Sequence, residues 1–69
     1  ARTEEEGELL QIMEGLPEKY RSVLHLYYYE GYATGEIAAI LGRSPNTVRS
    51  QLARGRALLH DAWKGAEEL

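Results

Sequence analysis

The chain has 69 residues, eight lysines and arginines against eleven aspartates and glutamates, a net charge of −3 and no cysteine. Such a length supports one small domain, with an economical core, because neither disulfides nor thiolate zinc ligands are available to reinforce it. No apolar run approaches the roughly 20 residues that span a bilayer, and the acidic opening "ARTEEEGELL" lacks the basic and apolar regions of a signal peptide. The absence of cysteine fits a reducing cytoplasm, the expected location.

Apolar residues recur at helical spacing along the chain and nowhere in the alternation of a half-buried strand, which predicts an all-α fold. Leu9, Ile12, Met13 and Leu16 follow the i, i+3, i+4, i+7 pattern and predict a first helix over about 4–15, closed by Gly15 and Pro17. The glutamates at 4, 5, 6 and 8 suit the positive end of its dipole and are expected to be solvated. A second helix follows over about 17–30, with Pro17 and Glu18 in its first turn, a stripe of Tyr20, Val23, Leu24 and Tyr27, and Gly31 as its C-terminal cap. In the run Tyr27, Tyr28, Tyr29, neighbours about 100° apart cannot all share one face, so Tyr27 is expected inside and Tyr29 outside. His25 falls on the outward side.

Thr34 is expected to cap a third helix over 34–41 that carries Ile37, Ala38, Ile40 and Leu41. Gly42 ends it. Ser44 then serves as N-cap and Pro45 as first residue of a fourth helix, over about 45–63. The sum is a compact four-helix domain over 1–69, without repeats or low-complexity linkers. Since the chain begins at Ala1 with no initiator Met, it is expected to be a piece of a longer protein.

Charge is shared unevenly, with eight acids and three bases in residues 1–36 but five bases and only Asp61 in residues 37–66. Four arginines fall in "GRSPNTVRSQLARGR", residues 42–56. A short helix, a glycine turn and a longer arginine-rich helix follow one another as in a helix-turn-helix. At about 100° per residue, Val48, Leu52, Gly55 and Leu59 share an inward face, while Asn46, Ser50, Ala53 and Ala57 centre the outward one. Arg49 and His60 flank it on one side and Arg54 on the other. Small residues at the centre with arginines at the margins suit a helix pressed into a major groove.

Chemistry then assigns expected roles. Arg49 or Arg54 can donate to guanine O6 and N7, Asn46 or Gln51 can pair with adenine, and Ser50 reads either edge beside Ala53. Arg43, Thr47, Arg56, Lys64 and the amides at the helix start behind Ser44 are expected on phosphates. Gly55 inside a helix costs about 1 kcal/mol relative to alanine unless a neighbour passes close. An enzyme is not expected, because there is no cysteine nucleophile and no Gly-rich phosphate loop, and His25 and His60 lack metal-ligand spacing. No cofactor is expected either.

The segments "LPEKYRSVLHLYYYEGY" and "EIAAILGRSPNTVRSQLARGRALL" resemble region 4 of the sigma-70 family of bacterial transcription initiation factors, most of all the extracytoplasmic-function group. The resemblance runs from about Leu16 to Leu59, with residues 1–15 as the family's first region 4 helix. It implies a four-helix domain whose last helix enters the major groove of the double-stranded promoter −35 element. It also implies docking to the β flap of RNA polymerase core and an anti-sigma factor that masks these surfaces. Base contacts are implied at Arg49, Ser50, Ala53 and Arg54, and phosphate contacts at Arg43, Thr47 and Arg56. Three positions depart from the family's habit: Gln51 in place of a second basic residue, Ala33 in place of a capping serine and Gly55 in place of alanine.

Two other readings compete. A LuxR-type regulator domain shares the Thr-Val start of the recognition helix but not Leu16-Pro17 or the Arg54-Gly55-Arg56 pair. A sigma-like interaction module that does not bind DNA is favoured by the acidic first half and by exposed Tyr29 and Tyr32.

Overall fold

The computed structural model describes the backbone of residues 4–68 and the side chains of residues 7–65. The side chains of Glu4, Glu5 and Glu6, and residues 1–3 and 69 of the expected domain span, lie outside it. Four helices follow one another: α1 (Glu4–Glu14), α2 (Glu18–Tyr28), α3 (Thr34–Leu41) and α4 (Pro45–Glu68), with no strand among the described residues. The all-α expectation holds. At 1.5 Å per residue α4 is about 36 Å long, close to the 38 Å longest dimension of the molecule. It is the spine on which α1, α2 and α3 all pack.

The core is small and drawn from every helix: Met13 of α1, Val23 and Leu24 of α2, Ile37 and Ala38 of α3, and Val48 and Leu52 of α4. Leu10, Leu16, Leu26, Leu41 and Leu59 pack around its margin. No polar side chain is buried among the described residues, so folding carries no desolvation cost of that kind. The tightest point of the α2–α4 seam is Gly55, which is buried. A Cβ there would stand 3.1 Å from Leu24 Cδ1, 3.3 Å from Leu24 Cγ and 3.3 Å from Tyr20 Cβ. Thus the glycine that weakens α4 as an isolated helix is what lets α2 lie against it.

Several sequence expectations are corrected at the helix ends and margins. Pro17 is the N-cap of α2, outside the helix, and its carbonyl accepts the N–H groups of Tyr20 and Arg21 at 3.0 Å each. Ala33, not Thr34, is the N-cap of α3, because Glu36 Oε1 reaches back to accept the Ala33 N–H at 2.9 Å. Only that half of a capping box is made, since alanine has no oxygen to return. The second helix stops at Tyr28, two residues short of the expected end, although Gly31 takes the expected left-handed conformation. The fourth helix continues to Glu68 rather than ending near Trp63, because only Gly65 interrupts a run of good helix formers there.

Neither Tyr27 nor Ile40 is in the core. Tyr27 is 36% exposed, close to Tyr29 at 38%, and Ile40 is 53% exposed. By angle Tyr27 does face α4, but the core ends one turn earlier at Leu24, and the ring lies instead under the Arg56 guanidinium at 5.5 Å. Ile40 is off the Ile37–Leu41 line that faces α4. Restoring an N-cap oxygen with Ala33→Ser should raise stability by about 1 kcal/mol in urea unfolding, as the cap backbone at φ −74, ψ 160 already suits serine. Gly55→Val should lower it by about 1–3 kcal/mol by the same measurement, through overpacking against Leu24 and Tyr20.

Candidate nucleic-acid interface

Three residues, Gly42, Arg43 and Ser44, join α3 to α4. Gly42 at φ 67 leaves α3 in the left-handed region, and the Arg43 N–H closes the turn on the Ala38 carbonyl at 2.9 Å. This i to i−5 bond is the mark of a Schellman ending. Ser44 is the cap that the sequence predicts: its Oγ accepts the Thr47 N–H at 3.1 Å and donates to Thr47 Oγ1 at 2.8 Å. The turn is therefore fixed at both ends by bonds of its own residues.

With α4 started there, its packing decides which side chains face outward. Val48, Leu52 and Gly55 are buried and Leu59 is half-buried against the core, as the angular count predicts. Asn46, Arg49, Ser50, Ala53, Arg54 and Ala57 are all exposed on the other side. The five expected base-contacting residues thus share one exposed face of α4. Arg54 has no hydrogen-bond or ionic partner among the described residues.

The expected phosphate contacts are less uniform. Thr47 and Ser44 stand at the head of the helix, but the Ser44 hydroxyl proton is committed to Thr47, which leaves the Thr47 hydroxyl as the better donor. Pro45 has no N–H and Ser44 takes that of Thr47, so the Asn46 N–H is the donor left open in the first turn. Arg43 is half-buried, with Nη1 donating to the Lys19 carbonyl of α2 at 3.2 Å and to Gln51 Oε1 of α4 at 2.9 Å. Arg56 is exposed but lies over the rings of Tyr27 and Tyr28, at 5.5 and 5.7 Å, within cation–π reach. Lys64 is exposed and stands about 15 Å further along α4 than Arg54. It does not join the cluster.

Two features were not legible in the sequence. Gln51 carries its carbonyl oxygen to Arg43 and is half-buried, rather than extended from the reading face. Tyr27, Tyr28 and Ile40 are large side chains exposed along α2 and α3, in addition to Tyr29 and Tyr32, whose exposure the sequence does predict. The tyrosine run was the signal for the second feature, and the family's basic residue at the Gln51 position was the nearest hint of the first.

Similarity to known proteins bears on the same segments. A family model described as "Sigma-70, region 4" matches residues 6–59. Among curated proteins, a probable RNA polymerase sigma factor RfaY of Xanthomonas campestris pv. campestris is 42% identical over 60 residues, a match covering 87% of this chain. The chain spans 15% of that protein's length.

Because Arg43 and Gln51 meet across the turn, a double-mutant cycle should find them coupled. Arg43→Ala and Gln51→Ala should each lower stability by about 1 kcal/mol in urea unfolding. The double variant should then fall short of the sum by about 0.5–1 kcal/mol.

Proposed function

This chain belongs to the sigma-70 region 4 family, and on that premise we propose that it binds the promoter −35 element sequence-specifically for a bacterial RNA polymerase in the cytoplasm. The observation that carries the reading is the outward face of α4, where exposed Asn46, Arg49, Ser50, Ala53 and Arg54 lie back to back with the buried Val48 and Leu52. Small residues let the helix approach the base edges, and the arginines at the margins supply bidentate donors for guanine. Arg43, Thr47, Arg56 and the open Asn46 amide behind the Ser44 cap set the register of this face on phosphates, and Lys64 is a separate phosphate contact further along the helix. The role is that of a binding domain without catalysis, and it needs no cofactor.

Protein docking is part of the same proposal. Tyr27, Tyr28, Tyr29, Tyr32 and Ile40 are exposed on α2, the next loop and α3, on elements other than the base-facing helix α4. Aromatic surface of this kind suits a protein partner, and it supports docking to the β flap of polymerase core, with an anti-sigma factor as a competitor for it. Family membership sets the LuxR-type reading aside. The interaction module without DNA binding stands as the alternative that the first experiment must exclude.

That experiment is an amide chemical-shift titration of the labelled chain with a −35-like duplex and with scrambled DNA at low salt. Shifts concentrated between Arg43 and Arg56, and larger for the promoter duplex, are expected. Amides that stay still on a folded domain would overturn the DNA-binding reading in favour of the interaction module. In fluorescence-anisotropy competition, Arg49→Ala or Arg54→Ala should cost about 1–3 kcal/mol of discrimination at particular base pairs. Arg56→Ala should weaken every sequence alike and lower the slope of log affinity against log salt by about 0.9.

A further inference from the structure

Two amide side chains of α4 have the chemistry to read adenine, and both have their carbonyl oxygens on arginines. Asn46 Oδ1 accepts from Arg49 Nη2 at 2.6 Å, and Gln51 Oε1 accepts from Arg43 Nη1 at 2.9 Å. A guanidinium can only donate, so the acceptor in each pair must be the amide oxygen. Reading adenine in bidentate fashion needs that oxygen and the amide nitrogen together, turned to the base. The oxygen has two lone pairs, of which the arginine takes one, so it is the orientation imposed by holding the arginine that competes with the bidentate approach to adenine. Gln51 is half-buried in its use, whereas Asn46 is exposed on the outward face itself.

We infer that Asn46 is a positioning residue for Arg49: by holding one Nη2 proton it fixes the guanidinium over the reading face, so that the preference at that point is for guanine acceptors through Arg49 and not for adenine through Asn46. The inference rests on the proposed role of α4 as a DNA-reading helix. Residues three apart are neighbours on a helix, so the bond needs no distortion of α4. Of the five N–H donors of Arg49, one is committed to Asn46 and four remain, enough for both guanine O6 and N7. An arginine restrained before the duplex arrives loses less side-chain freedom on binding. Arg54 across the face, with no partner among the described residues, has no such restraint. The two arginines thus differ in kind: Arg49 is preset, and Arg54 is ordered by the DNA.

The test uses the 69-residue chain as parent, Asn46→Ala, Asn46→Asp, Arg49→Ala and the double variant Asn46→Ala/Arg49→Ala. Without DNA, nitrogen-15 relaxation at Arg49 Nε should report an ordered side chain in the parent and in Asn46→Asp, which keeps an acceptor, and a mobile one in Asn46→Ala. With a duplex library randomised over the −35 positions, Asn46→Ala should lose preference at the same base pair as Arg49→Ala, by roughly five- to 150-fold for the full loss. The double variant should match Arg49→Ala alone. Asn46→Asp should keep the preference at uniformly lower affinity, since its carboxylate meets the phosphates.

Equal mobility of Arg49 in the parent and Asn46→Ala would overturn the inference. So would a loss by Asn46→Ala at a different base pair that adds to the Arg49→Ala loss. A parent chain that selects no sequence at all would overturn the reading of α4 and this inference with it. That outcome is told apart from failure of the inference alone, in which the parent still discriminates.

Discussion

The close approach of α2 to α4 at Gly55 is the constraint from which the rest of the domain takes its place. With no Cβ on residue 55, Leu24 and Tyr20 lie against the backbone of α4. That contact fixes the rotation of α4 about its own axis, because Gly55 is in line with Val48 and Leu52, which are buried on the same side. Once the rotation is fixed, Asn46, Ser50 and Ala53 have no choice but to face solvent. A Cβ at residue 55 would require Leu24 and Tyr20 to give by a few tenths of an ångström, and a branched side chain would press further on the seam. In a domain this small, one backbone contact therefore governs both stability and the presentation of the surface.

Around that seam, the domain is braced by arginines that do not use carboxylates. Arg21 donates to the Glu14 carbonyl at the end of α1, Arg43 joins the Lys19 carbonyl of α2 to Gln51 of α4, and Arg56 covers Tyr27 and Tyr28. Arg43 and Arg56 reinforce the α2–α4 seam that the apolar core already makes, and Arg21 ties α2 to the end of α1. A planar guanidinium suits this use, since it can donate in two directions at once and lie flat on a ring. Glutamate serves elsewhere, with Glu36 closing the start of α3 in place of the oxygen that Ala33 lacks.

What could be read from the sequence was whatever depends on local chemistry. The four helices, the Ser44 cap, Pro45 at the helix start, the Gly42 turn and the inward line Val48–Leu52–Gly55–Leu59 follow from spacing and capping rules, which act within a few residues. What could not be read depends on where helices end against one another. Tyr27 has the angle of a core residue, but angle does not say that the core stops at Leu24. Ile40 is apolar within an apolar helix, and only the packing of α3 shows that it lies off the buried line. Side-chain pairing was equally hidden. That Arg43 belongs to Gln51 and Arg49 to Asn46 is a matter of which rotamers the packed helices leave open, and the same residues in a chain of arginines and amides permit several pairings.

The choice of neutral partners has a consequence for the field of the molecule. A carboxylate paired with Arg43, Arg49 or Arg56 would cancel its charge, whereas a carbonyl, an amide oxygen or a tyrosine ring holds the side chain and leaves the charge in place. Among the described residues no arginine of α4 has a carboxylate partner, and the Asp61 carboxylate lies 3.9 Å from the neighbouring, highly exposed His60 imidazole. The acids are concentrated instead in residues 1–36. A chain with net charge −3 therefore carries a locally basic stretch along α4, where Arg49, Arg54 and Arg56 have no acidic residue between them. On the proposed role in DNA binding, that local charge favours approach of the duplex to the face of α4 before any base is read.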